Sequence, residues 1–181
     1  MRRTFFALAF FCATVNANAQ APIAPGGEAR AALASQASRV GKWAGDGWIQ
    51  MGPDRRMSFR QTEDVRFAAG ATSLMMMGLG NSVFRPGGDS VTVLEALAVL
   101  WRDPASNALA MRSWIQTGEG GMAAVKVSAD TLLWSYDDPR MGHVRHTSMR
   151  TATGEWFERG EPSRDNSSWM QFLEMKLSRV P

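Results

Sequence analysis

Gln61, Glu63 and Glu95 fall in runs whose alternation turns them toward an apolar interior, and Arg112 with Trp114 sits in a similar stretch. A carboxylate on such a face must give up its charge or find a partner, so Glu63 or Glu95 facing Arg112 is the natural pairing. That chemistry has two readings. One is a polar anchor for a ligand inside the domain, with Trp114 beside it; the other is an ion pair of purely structural value.

Other reactive side chains are present in weaker arrangements. His143 and His146 are three apart in one predicted strand and so face opposite ways, which rules out a same-face metal pair. Met75-Met76-Met77 offers soft thioethers of the kind that hold Cu(I), yet alternation separates Met76 from its two neighbours. The 12 methionines are better read as adaptable core filling, or as the wall of a pliable apolar pocket. Ser, Asp and His all occur, but no Gly-x-Ser-x-Gly elbow accompanies them. Glu158 and Glu161, also three apart on a strand, read as solvated surface charges on opposite faces. Gly118-Glu119-Gly120-Gly121 lies between two predicted strands, so no helix N-terminus follows it to receive a phosphate. No residue is assigned to catalysis and none to a metal.

The elements that would position these groups are short strands. Turn chemistry recurs at Gly52-Pro53-Asp54, Pro86-Gly87-Gly88-Asp89, Asp103-Pro104, Asp138-Pro139, Thr153-Gly154 and Pro162-Ser163. Such spacing leaves room for strands and not for long helices. Met57, Phe59, Gln61, Glu63, Val65 and Phe67 alternate with polar residues at period two. Val91, Val93, Glu95, Leu97, Val99 and Trp101 share a face of another strand whose opposite face is also apolar. The pattern predicts about ten strands, at 45–51, 56–68, 72–84, 91–101, 108–117, 121–127, 131–137, 143–151, 155–160 and 167–179. Tight turns between consecutive strands predict an all-β domain, a single antiparallel up-and-down barrel over 41–181, closed so that no edge is left exposed. Before it, 28–40 is rich in Ala, with Leu33, Ala37 and Val40 at helical spacing and Gly41 as a stop, and predicts one short helix.

The N-terminus reads as an address. Met1-Arg2-Arg3 is a basic n-region and Phe5 to Val15 an apolar run, followed by Ala17-Asn18-Ala19 as a cleavage site. Eleven residues rise only about 16 Å as a helix, roughly half a bilayer core, so a membrane span is not expected. The reading is a signal peptide over 1–19, a flexible leader over 20–27, and a periplasmic or secreted product.

Cleavage changes the composition. Arg2 and Arg3 leave with no acid, which lowers the net charge from +3 to +1, and the single Cys, Cys12, leaves too. The remaining chain has no thiol, which excludes disulfides and cysteine nucleophiles. Its arginines are interleaved with acids and show no run longer than Arg55-Arg56, so an electrostatic track for nucleic acid is not expected.

Gly41-Lys42-Trp43 at the entry to the first strand, with Arg179 near the end of the last, resembles the signature of lipocalin-like (calycin) barrels. The resemblance implies that the Arg179 guanidinium lies across the Trp43 indole at the barrel base. More of the chain is similar to an uncharacterised bacterial family of exported calycin-like domains: Gly41 to Gly47, Met51-Gly52-Pro53, Gln61-Thr62-Glu63, and Gly154 to Asp165 followed by Trp169, Phe172 and Arg179. It implies the fold and no settled activity. Nitrobindin-like relatives of that barrel bind haem through a His in their closing strands, whereas residues 155–181 contain none. Together these features lead to a binding protein for a small apolar or amphipathic molecule, with Glu63, Glu95, Arg112 and Trp114 as candidate ligand contacts and no cofactor. Haem on His143 or His146, acid–base work at an internal carboxylate, or a filled barrel acting through protein contacts are the alternatives.

Overall fold

The structure is a computed structural model and describes residues 26–181. The expected signal peptide and residues 20–25 of the leader lie outside the described residues. Ten strands follow one another in order: β1 (Gly41–Gly52), β2 (Arg55–Ala68), β3 (Ser73–Ser82), β4 (Val91–Arg102), β5 (Leu109–Ile115), β6 (Gly120–Ser128), β7 (Thr131–Asp138), β8 (Gly142–Arg150), β9 (Trp156–Ser163) and β10 (Leu173–Val180). Each pairs antiparallel with the next, and β1 pairs with β10, so the sheet closes on itself. The all-β, up-and-down barrel expected from the turn spacing is the observed architecture. Closure gives every strand a partner on both sides and leaves no edge to recruit another chain.

Alternation decides what each strand turns inward. β2 sends Phe59, Gln61 and Val65 to the buried side, as its period-two pattern dictates. β4 departs from the expected face. Its register with β3 runs from Gly80↔Leu94 to Asn81↔Thr92, skipping Val93, so one extra residue interrupts the ladder. Beyond such a bulge the alternation inverts, and the inward set becomes Ala96, Ala98 and Leu100. Glu95 is consequently exposed on the outer wall.

The last strand is shorter than expected. Pairing of β10 with β9 begins at Leu173↔Gly160, and the residues before it form a loop organised by Asp165. Its Oδ1 accepts hydrogen bonds from the Ser167 and Ser168 backbone N–H groups (2.9 and 2.7 Å) and from the Ser163 hydroxyl (3.0 Å). These contacts hold the Asp165 carboxyl well below the usual carboxylate range.

One end of the barrel is plugged by the segment before β1. Its Ala-rich sequence suits a helix, with Glu28 in the favourable first turn. The helix α1 spans Gly27–Leu33 and then tightens into a 3-10 helix over Ala34–Arg39, rather than remaining α-helical to residue 40. In a 3-10 helix residues three apart eclipse each other. Leu33, Gln36 and Arg39 therefore descend together into the barrel, while Ala37 stays exposed. Glu28 ties the plug to β4 through Arg102 (2.8 Å).

At the plug the Arg179 guanidinium lies over the Trp43 ring, 4.4 Å from its centroid, and its Nη1 and Nη2 donate to the carbonyls of Val40 and Ser38. Arg150 covers the same indole at 4.6 Å. Gly41 has φ +136°, and a Cβ there would collide with the Arg179 guanidinium, so the backbone and the cation both require glycine. Trp43 is fully buried and its Nε1 donates to the Arg39 carbonyl (2.8 Å).

Candidate functional site

Above the plug the barrel is not full. A cavity of about 340 Å³ extends from Ile49, Met57 and Phe172 down to Trp156 and Ser148. That volume is at the lower end of the range for small-molecule sites. The space exists because β3 to β5 turn small residues inward: Gly78, Ala96, Ala98 and Ser113 face the larger Trp134, Phe172 and Met175 across the barrel.

A polar group is built into this apolar chamber. Gln61, 2% exposed, donates from Nε2 to Glu63 Oε1 (2.7 Å), and both side chains line the cavity. Register places Glu63 between Trp43 on β1 and Gly78 on β3. Gly78 leaves room for this pair: a Cβ would stand 2.6 Å from Glu63 Oε1 and 2.9 Å from Gln61 Nε2 and would push both side chains aside. Burial pushes the Glu63 carboxyl up to about 8, with the negative charge of Glu158 adding to the rise and the Gln61 hydrogen bond opposing it. Glu63 is thus a neutral acid at pH 7.

β8 and β9 supply the other polar side chains. Their hairpin register sets Ser148 opposite Glu158 and His146 opposite Gly160, which brings His146, Ser148 and Glu158 to one inner face. Glu158 is only 8% exposed, and His146 Nδ1 lies 3.3 Å from it, outside hydrogen-bond geometry. His146 stacks flat on Trp134, with ring centroids 3.8 Å apart and planes at 9°, and meets the edge of Phe172. Gly160 makes room for it, since a Cβ there would lie 3.0 Å from the imidazole and 2.7 Å from the Phe172 ring.

His146 does not fit an axial haem ligand in this arrangement. Both its ring nitrogens are sealed from solvent and cavity, and the ring would have to leave Trp134 to reach an iron. His143 points the opposite way, to the outer wall, where its Nδ1 is 2.8 Å from Asp137. Met76 lines the cavity while Met75 and Met77 lie on the outside, so the three thioethers do not converge.

The floor of the site is held by Arg39, which is 1% exposed. Its guanidinium donates to Gln36 Oε1 (3.0 Å), Ser148 Oγ (2.9 Å), the Ser148 carbonyl (2.8 Å) and the Asp130 carbonyl (3.0 Å). Desolvation by this burial lowers its pKa, and the charge of Glu158 opposes that fall.

Of the four candidate ligand contacts, only Glu63 lines the cavity. Glu95 is displaced by the β4 bulge. Arg112 is exposed on the outer wall because its neighbour Met111 takes the inward position on β5, and its guanidinium lies 5.1 Å from the Trp114 ring on that same outer side. The expected pairing of an internal glutamate with Arg112 therefore does not form. Glu158 and Glu161 do face opposite sides, yet neither is solvated: Glu158 lines the cavity, and Glu161 is enclosed on the outside by Arg145 (3.0 Å) and Arg159 (3.5 Å). Gln36, Arg39 and Glu158 are the site residues that the sequence patterns did not assign to a ligand chamber, and His146 entered only as an alternative haem ligand. The signal available for Glu158 was its distance from the 151–155 turn, which sets it on the same hairpin face as His146.

The molecule is thus a closed ten-stranded antiparallel barrel with a plugged base and an internal chamber carrying a few polar groups. Among solved structures it is similar to the one titled "Crystal Structure of Rv2717c from M. tuberculosis", with 14% sequence identity and a TM-score of 0.59 over 83% of this chain and 98% of that chain. At that identity the likeness speaks to the fold alone. No family model and no curated protein matches the chain.

Proposed function

We propose that this chain is an exported, non-enzymatic binding protein of the calycin-like kind, which holds a small apolar or amphipathic molecule inside the barrel. The observation that carries the reading is the chamber of about 340 Å³, walled by apolar side chains and fitted with a compact polar group at Glu63 and Glu158. Chambers of that size and lining bury a ligand's apolar body and orient it through a few polar contacts. The Trp43–Arg179 contact supports the calycin-like assignment, and the basic, apolar, small-residue order of residues 1–19 supports export. Native mass spectrometry of protein purified from its own envelope tests this. A bound small molecule, lost on denaturation, is the expected result; repeated recovery of the bare chain alone would contradict it.

One observation favours a second reading. Glu63 stays protonated at neutral pH and shares the chamber with a second buried carboxyl, Glu158, so a proton donor stands within reach of a bound molecule. In that case the recovered molecule would be chemically changed on incubation with fresh protein, and Glu63→Gln would stop the change.

A further inference from the structure

Among the described residues, the polar end of the chamber is rich in acceptors, and its basic neighbour His146, 3.3 Å from Glu158, keeps both ring nitrogens buried out of a ligand's reach. Glu158 is a carboxylate more than nine-tenths buried that lines the cavity and receives no hydrogen bond from them. Glu63 accepts at one oxygen from Gln61, which leaves the other without a partner there. The buried Gln61 Oε1 is also unpaired. The guanidinium of the plug core, that of Arg39, is committed to Gln36, Ser148 and the Asp130 carbonyl. A carboxylate ligand would bring a third acidic group against these acceptors with no cation to meet it, whereas a hydrogen-bond-donating cation would complete them.

We propose that the chamber selects amphiphiles whose polar end is a protonated amine, seated between Glu63 and Glu158 with the alkyl part along Ala96, Ala98 and Met111. This inference rests on the binding function proposed above and names its ligand class. Seating the ammonium requires Glu63 to release its proton to solvent, so one proton leaves for each amine bound near neutral pH. The titratable groups that line the cavity with Glu63 are Glu158, His146 and Tyr136, while β1 and β3 set Trp43 and Gly78 beside it and Arg39 lies beneath Ser148 in the plug. Amine affinity should therefore rise with pH up to about 8, by as much as about tenfold per pH unit, whereas carboxylate affinity should stay nearly level below about 8 and fall only above it.

Isothermal titration calorimetry with octylamine, 1-octanol and octanoate, at pH 6, 7 and 8, separates the possibilities. The expected result is octylamine at least tenfold tighter than octanoate at pH 8, with octylamine affinity climbing from pH 6 to 8 while octanoate affinity stays nearly level. Glu63→Gln, shown to be folded by its thermal transition, should reduce the amine preference at least fivefold and abolish its pH slope. Octanoate binding as tightly as octylamine, or an amine preference that survives Glu63→Gln, overturns the amine assignment while leaving the chamber as a binding site. Failure of all three probes to bind overturns the binding function as well.

Discussion

Replacing Glu63 by glutamine should make the protein more stable, by an amount that grows with pH. The unfolded chain ionises Glu63 near the ordinary 4.5, whereas the folded chain keeps the proton until about 8. Between those values the unfolded state binds fewer protons than the folded one, so rising pH favours unfolding. Each pH unit in that window is worth about 1.4 kcal/mol, so about 3 kcal/mol of wild-type stability is lost by pH 7. The glutamine introduced by Glu63→Gln does not titrate, and it keeps an oxygen for the Gln61 amide to donate to, so the variant escapes this loss. Urea unfolding of both proteins at pH 5 and pH 7 isolates the effect, because the other titrating groups act alike in both. The stability gap should widen in favour of the variant by about 2–3 kcal/mol, roughly a 1 M shift in midpoint for a slope of about 1–3 kcal/mol per M. A gap that is independent of pH, or one that narrows as pH rises, would refute the argument that Glu63 is buried as a neutral acid.

Two further substitutions probe the supports of the chamber. Arg39→Met removes three hydrogen bonds between plug and barrel and a fourth within the plug, and should cost about 3–5 kcal/mol, lowering the calorimetric Tm by about 10 °C; a drop under about 3 °C would show that the plug does not depend on them. Gly160→Ala forces a methyl against Phe172 and His146 and should cost about 1–3 kcal/mol in denaturant unfolding, whereas unchanged stability would mean that the His146–Phe172 packing is looser than described.

The fold was legible because closure and alternation leave a direct trace in the residues. Turn residues mark the ends of each strand, and β2 wears its two faces openly, from Met57 to Phe67. The chamber was far less legible. Its space is made by residues that are absent rather than present, with Gly78, Ala96 and Ala98 where a packed barrel would carry Leu or Val. Small residues do not announce an inward face, and β4 has apolar residues on both sides, so nothing in its sequence reveals that a one-residue bulge at Val93 inverts the pattern. That inversion is why Glu95 reads as internal and is not. Arg112 is misleading for a related reason, as β5 is too short for its alternation to decide between Met111 and Arg112. The plug was half legible: Ala-rich composition predicts a helix, but only the change of period from 3.6 to 3 explains why the polar Gln36 and Arg39, and not Ala37, are the residues buried. Glu63 is readable because β2 is regular throughout, whereas Glu158 is legible only through its distance from the 151–155 turn, since its surroundings come from neighbouring strands.

The arginines follow a similar logic on the outside. Arg56 lies over Trp48 at 3.6 Å and Arg145 over Trp169 at 3.8 Å, so guanidinium planes cover indoles that would otherwise be exposed apolar area.

The claim that the barrel interior is the binding site is tested most directly by methyl NMR of methionine-labelled protein titrated with octylamine. Met57, Met76, Met111 and Met175 line the chamber, whereas Met51, Met122 and Met170 are exposed away from it. The account predicts saturable shifts of the first four methyl signals and little change in the other three. Shifts confined to Met51, Met122 and Met170, with the interior signals unmoved, would contradict it.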